Sequence, residues 1–244
     1  MTNRKETLEA KGLAKVYRGK RVVDHIDLTL NRKEIVGLLG PNGAGKTTTF
    51  YMIIGLASPD EGRVYLDGQD ITHAPMYQRA RKGITYLSQE PSVFRKLTVE
   101  QNLLAILESL GIPSREIQDR LKRLLSELNI GHLAKQKADS LSGGERRRLE
   151  ITRALVTEPR FMLLDEPFAG IDPLALNDIN QIIRQLKDRG IGIIISDHNV
   201  RETLKVCDSA YIISQGKIVD FGDPEKILRS KVARAVYLGD DFNL

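Results

Sequence analysis

The chain has 244 residues, enough for one domain with a substantial core and an attached subdomain. Its 37 Lys and Arg stand against 32 Asp and Glu, a net charge of +5 that favours no particular class of partner strongly, polyanion or membrane surface. The one cysteine, Cys207, excludes an intrachain disulfide and fits a reducing compartment; behind Val206 in a helical pattern it reads as a small buried hydrophobe.

The polar opening Met1-Thr-Asn-Arg-Lys-Glu6 lacks the apolar core of a signal peptide, and no later run approaches the roughly 18 residues of a membrane span. A cytoplasmic protein is expected, with any membrane contact made through partners. Residues 8–38 alternate apolar and polar, with turns at Arg18-Gly19 and Asn31-Arg32, as antiparallel strands do. Ile35-Val-Gly-Leu-Leu39 is a buried strand running into a glycine loop, and a helix is predicted from Lys46 to Ile54. A short strand follows at Arg63 to Leu66, and Gly83 to Ser88 leads to Gln89. From about 92 to 139 the pattern is helical. Ser114 is placed to cap a helix with Ile117, Leu121, Leu124, Leu125 and Leu128 on one face. Arg146 to Leu155 is strongly helical, while Phe161 to Leu164 and Ile191 to Ile195 are short apolar runs suited to a sheet covered on both faces. Gln215-Gly216 joins Tyr211-Ile-Ile-Ser to Lys217-Ile-Val-Asp as a hairpin, and a helical tail begins at Pro224.

The most specific motif is Gly40-Pro41-Asn42-Gly43-Ala44-Gly45-Lys46-Thr47, continued by Thr48. Its glycines let successive backbone N–H groups converge on phosphate oxygens, and the loop opens onto a helix N-terminus, which favours anions. Lys46 suits the β and γ phosphates of ATP and the Thr47 hydroxyl suits magnesium. Asp165-Glu166 follows a buried strand, at the end where open α/β sheets bind ligands. Asp165 is the candidate to hold magnesium through water, and Glu166 the general base for the attacking water. His198, behind another apolar strand, is placed to contact the γ-phosphate. Gln89 is placed to meet magnesium and that water. Tyr17 is a candidate to stack on adenine. His25, His73 and His132 show no metal-ligand spacing and read as surface residues.

A second glycine motif, Leu141-Ser142-Gly143-Gly144-Glu145, opens the helical run from Arg146 and forms another anion site. At this point essentially the whole chain resembles the ATP-binding-cassette ATPases. The resemblance implies an α/β fold: a P-loop NTPase, RecA-like three-layer core with an antiparallel β edge subdomain (1–91 and 140–244) and a family-specific helical subdomain (92–139), ending in a tail (224–244). It implies ATP and Mg²⁺ as cofactors. It also implies a head-to-tail homodimer in which Ser142, Gly143 and Gly144 clamp the ATP held by the partner copy, with Asp172 crossing the interface. Two transmembrane permease subunits are the implied partners, and no nucleic acid is. Phe94 and Arg95 are candidates for the wall of a groove that receives them. Within the family the combination of the cradle extended to Met52, Gly143-Gly-Glu-Arg-Arg-Arg148, Asp197-His-Asn-Val-Arg-Glu-Thr-Leu204 and Val236-Tyr-Leu-Gly-Asp-Asp-Phe242 resembles the ATPases of bacterial lipopolysaccharide export. Some of these segments also occur in ATPases of branched-chain amino-acid importers, which remain an alternative. A soluble ATPase acting on nucleic acid or ribosomes usually carries two cassettes, and this chain has one. Ser88 departs from the proline frequent before this glutamine.

Overall fold

The computed structural model describes residues 6–239. Strands β1 (Thr7–Tyr17) and β2 (Lys20–Asn31) pair antiparallel across Arg18-Gly19. Both turn residues take positive φ, 51° and 77°, which matches the right-handed twist of the strands they join. Next come β3 (Ile35–Leu39), all buried, the glycine loop, and α1 (Lys46–Ile54). Strands β4 (Glu61–Leu66) and β5 (Gln69–Asp70) complete a four-stranded antiparallel sheet in the order β2-β1-β4-β5. Helix α2 (Met76–Arg81) and strand β6 (Ile84–Leu87) lead to the Gln89 loop. The sequence reading did not include β5 or α2.

Helices α3 (Val99–Ser109) and α4 (Ser114–Glu127) follow. Two sequence expectations are corrected here. The helical pattern expected from about 92 begins at Val99, because Thr98 starts the helix with a reciprocal capping box to Gln101. Ser114 is the first residue of α4 and not its cap. Pro113, with φ −59° and ψ 143°, occupies the cap position and offers no side-chain bond. The apolar face is as read: Leu121, Leu124 and Leu128 are buried, with Ile117 and Leu125 packed against them.

Helix α5 (Gly143–Leu155) and strand β7 (Phe161–Asp165) carry the next motifs. Helix α6 (Pro173–Asp188), strand β8 (Gly192–Ser196) and helix α7 (Val200–Val206) follow, then the hairpin β9 (Ser209–Ser214) and β10 (Lys217–Gly222), and α8 (Pro224–Arg229). A last helical segment ends in a π-helix at Arg234–Leu238. The part of the quoted tail beyond residue 239 lies outside the described residues.

The second sheet has six strands in the order β10-β9-β3-β8-β7-β6, parallel except for the β10 edge. Alternate residues of its strands enter different cores. Met162, Leu164, Ile193 and Ile195 pack with the helices from α3 to α6, and Leu163, Ile194, Val36 and Leu38 pack with α1 and the first sheet. This two-sided burial explains the unbroken apolar runs. It leaves the C-terminal ends of β3, β8, β7 and β6 side by side, carrying in that order the glycine loop, His198, Asp165-Glu166 and Gln89.

Candidate functional site

The glycine loop is built against β2 and β9. A Cβ on Gly40 would lie 2.0 Å from the Ile213 carbonyl oxygen, and one on Gly45 would lie 2.7 Å from that of Val22. Gly45 also holds φ at 111°, which L side chains rarely adopt, and as the N-cap of α1 it offers no side-chain bond. The first amides of α1 therefore stay available to an anion. Lys46 Nζ donates to the carbonyls of Gly40, at 2.7 Å, and Pro41, at 3.1 Å, and arches over the loop. Burial pulls its pKa down, while the carboxylates Glu166, Asp165 and Asp197 push it back up. Thr47 is exposed at the helix start and Thr48 is half-buried.

Asp165 is buried at the end of β7, and burial raises its pKa. The Tyr86 hydroxyl donates to its Oδ2 at 3.0 Å and opposes that rise. Glu166 is less buried and sits at φ 48°, in the left-handed region. Its N–H donates to the Ser196 carbonyl at 2.6 Å, and Arg147 donates to its own carbonyl at 2.7 Å. Gln89 Nε2 donates to Glu166 Oε2 at 2.9 Å, and His198 Nδ1 lies 3.3 Å from the same oxygen. Two side chains from the flanking strands thus converge on one oxygen of the candidate base.

Asp197, beside His198, is fully buried; its carboxylate accepts from the Phe168 and Asn199 amides at 3.0 and 2.7 Å, which fixes the loop that presents His198. The Tyr237 hydroxyl, in the tail, lies 3.5 Å from the Asp197 carbonyl oxygen, and burial pushes its pKa up to about 12.

Ser142 starts α5 with a capping box. Its oxygen accepts from the Glu145 amide at 3.3 Å and it donates to the Glu145 carboxylate at 2.8 Å. The Ser142 amide, donating to that carboxylate at 2.9 Å, and then the Ser142 hydroxyl hold the Glu145 carboxyl below its ordinary pKa. Gly143 passes close to Gly170, where a Cβ would lie 2.8 Å from the carbonyl oxygen, and a Cβ on Gly144 would meet that of Ala175 at 3.0 Å. The clamp thereby abuts the segment leading to Asp172, whose carboxylate accepts from the Ala175 amide at 3.1 Å.

Below the clamp, Arg147 and Glu150 form a buried ion pair at 2.8 Å. Arg147 also donates to the Pro167 carbonyl at 3.1 Å, and Glu150 accepts from the Ser92 amide at 3.3 Å. Arg153 donates to the Ser92 carbonyl, and its guanidinium stacks over the Phe94 ring at 4.8 Å. Phe94 is 49% exposed, on the loop before α3 and not on a helix; Asn102 braces that loop through the Phe94 amide and carbonyl. Arg95 is exposed beside it.

The structure brings the cradle, Asp165, Glu166, Gln89 and His198 to one sheet edge. Tyr17, 46% exposed, sits at the end of β1 with the Lys15 ammonium 5.5 Å from its ring centre. His25, His73 and His132 are exposed, and Cys207 is buried with its thiol pKa raised, in line with the sequence reading. Sequence reasoning missed Tyr86, Arg147 and Asp197 as supports of the site. Only Asp197 left a signal, by its place next to His198.

Among the described residues no cluster of three or more His, Cys, Asp or Glu could hold a metal ion by itself. The donors at hand are the Thr47 hydroxyl, the Asp165 carboxylate and the Gln89 amide, all hard oxygens. That set fits magnesium shared with phosphate oxygens and does not fit a metal caged by protein alone. No helix among the described residues is long and apolar enough to cross a membrane.

Comparison with known proteins places the chain in a family. The lipopolysaccharide export system ATP-binding protein LptB of Escherichia coli K12 is 54% identical over 239 residues, covering 98% of this chain and 99% of that protein. A probable ABC transporter ATP-binding protein of Azorhizobium caulinodans is 56% identical over 98% of this chain and 85% of its own length. Among solved structures, an ATP-binding cassette of an ABC transporter in its ADP conformation superposes with a TM-score of 0.87 at 29% identity, covering 96% of this chain and 99% of that one. The family model described as ABC transporter matches residues 23–169, a span that includes the cradle, the clamp and both carboxylates, and the chain belongs to that family as an ATP-hydrolysing subunit.

Proposed function

We propose that this protein hydrolyses ATP as a homodimer on the cytoplasmic face of the inner membrane and powers extraction and export of lipopolysaccharide through a pair of LptF/LptG-like permease subunits. The substrate assignment rests on the 54% identity to the Escherichia coli export ATPase over nearly the full length of both chains. The catalytic assignment rests on the convergence of Gln89 and His198 on Glu166 Oε2, beside the cradle.

In this reading the loop amides and Lys46 bind the phosphates, and Tyr17 meets the adenine. Thr47, Gln89 and, through water, Asp165 hold magnesium, which supplies charge neutralisation on the phosphate oxygens when bound. Glu166 takes a proton from the attacking water. His198 passes from Glu166 to the γ-phosphate, and Gln89 turns from Glu166 toward the water as the nucleotide enters. Ser142, Gly143 and Gly144 close on the ATP of the partner copy, and Asp172 lies across that interface. The helical subdomain (92–139) presents Phe94 and Arg95 to the permeases.

Glu166→Gln removes the base and keeps the size of the side chain. Turnover is expected to fall by about 10²-fold or more while ATP still binds and the dimer accumulates. Near-normal turnover would remove Glu166 from the role. Co-purified membrane proteins with large periplasmic domains support export, whereas a binding-protein-dependent permease would assign the chain to an amino-acid importer.

A further inference from the structure

The donors placed at the magnesium site come from three separate elements: Thr47 from α1, Asp165 from β7 and Gln89 from the loop after β6. One side chain touches two of those elements and sits on the strand that leads into the third. Tyr86, on β6, lies three positions before Gln89 in the chain. Its ring meets Phe50 and Tyr51 of α1 edge-on, with ring centres 6.5 and 6.2 Å apart, and its hydroxyl donates to Asp165 Oδ2 at 3.0 Å.

A carboxylate at the end of a strand can turn about its last bond. The Tyr86 hydroxyl, with a smaller contribution from the Ser196 side chain, favours one orientation, and Asp165, at 3% exposure, has little water to do so instead. Carboxylates that serve metals are commonly oriented by such outer partners, whose loss costs about 10–100-fold in metal affinity or activity. The ring contacts give the same residue a grip on α1, the helix that carries Thr47.

We propose that Tyr86 is a positioning residue that sets the Asp165 carboxylate for magnesium and joins its orientation to the placement of Thr47 and Gln89. The proposal rests on the magnesium–ATP reading of the site. Displacement of the Gln89 loop would reach the metal carboxylate directly through β6.

The test uses the full-length chain with Mn²⁺ as the metal probe. Mn²⁺ binding in the presence of ATP is followed by electron paramagnetic resonance, with Glu166→Gln present to stop hydrolysis. Tyr86→Phe keeps the ring and deletes its hydroxyl, the larger of the two side-chain hydrogen-bond contributions at Asp165. It is expected to weaken Mn²⁺ binding by about 10-fold, and to raise by the same factor the Mg²⁺ concentration that half-saturates hydrolysis in the chain with Glu166 intact. Binding of a fluorescent ATP analogue in EDTA should stay unchanged. In an Asp165→Asn background the same substitution should add no further loss. Unchanged Mn²⁺ affinity overturns the proposal. So does a parallel loss of metal-free nucleotide binding, which would make Tyr86 a packing residue only. If the chain with Tyr86 intact shows no ATP-dependent Mn²⁺ binding, the site reading itself fails, and the two failures are distinct.

Discussion

The buried pair Arg147–Glu150 supports a sharp expectation for Glu150→Leu. The side chains are 6% and 5% exposed, so removing the carboxylate leaves a guanidinium buried with only the Glu166 and Pro167 carbonyls for partners. Breaking a buried pair on one side costs about 3–5 kcal/mol. At roughly 2–4 °C per kcal/mol for a domain of this size, the melting temperature should drop by about 6–20 °C. Adding Arg147→Leu removes the orphaned charge. The apolar pair is close to neutral in itself, but two carbonyls lose a charged donor, so a net cost of about 2 kcal/mol is expected. Stability should therefore improve from the single to the double variant. Activity should go the other way. The single variant keeps Arg147 on the carbonyl of Glu166, whose left-handed backbone costs about 1–3 kcal/mol to hold. The double variant releases it, and kcat should fall by a further ~10-fold (about 1.4 kcal/mol). Urea unfolding and steady-state ATPase at 20 °C measure the two orders. The reasoning is refuted if Glu150→Leu lies within 1 kcal/mol of the parent, or if the double variant is the less stable of the two.

Gly45→Ala places a Cβ 2.7 Å from the Val22 carbonyl oxygen at φ 111°, and should weaken binding of a fluorescent ATP analogue by at least ~10-fold. If the proposed head-to-tail dimer forms, Lys46→Ala and Ser142→Arg should each inactivate it, and mixing them should give a heterodimer with one intact cradle facing one intact clamp; partial recovery of hydrolysis is expected, and full activity of either variant alone would end the composite-site proposal. On the proposed partnership, Phe94→Ala should leave ATP affinity of the isolated subunit intact and cost roughly 2 kcal/mol or more in capture of the proposed permease subunits, read by pull-down alongside nucleotide titration. Lost ATP affinity with normal capture would place the groove elsewhere. Tyr17→Ala should weaken ATP more than free triphosphate in competition binding, because only ATP carries a base to stack.

What was legible in the sequence was what is local. Gly40 to Thr47 forms its cradle from consecutive residues, so spacing alone reports it. The short apolar runs told of a doubly covered sheet because both faces of β7 and β8 are buried. The supports of the site were illegible for the opposite reason. Tyr86 and Asp165 are 79 positions apart, and Tyr86 reads by itself as an ordinary strand aromatic. Arg147 sits in a basic helical run where a solvated guanidinium is the plain expectation, yet its fork reaches back to Glu166 and Pro167. Ser114 misled because serine caps helices well, while the proline before it already had the cap conformation. Phe94 falls within the helical pattern because nothing in the apolar spacing marks Thr98 as the point where the helix starts.

Synthesis order and spatial order disagree in this sheet. Strand β8, made late, lies between β3 and β7 and pairs with both. A growing chain that has emerged only as far as Glu166 already contains the cradle and both carboxylates, but the strands that bear them have no bond to each other. The cradle and the carboxylates are therefore expected to come together only once β8, which bridges β3 and β7, and β9, which backs the glycine loop, have both been made. A nascent chain stalled at successive lengths and probed with an immobilised ATP analogue should gain most of its binding only after Ser214, the end of β9, clears the ribosome.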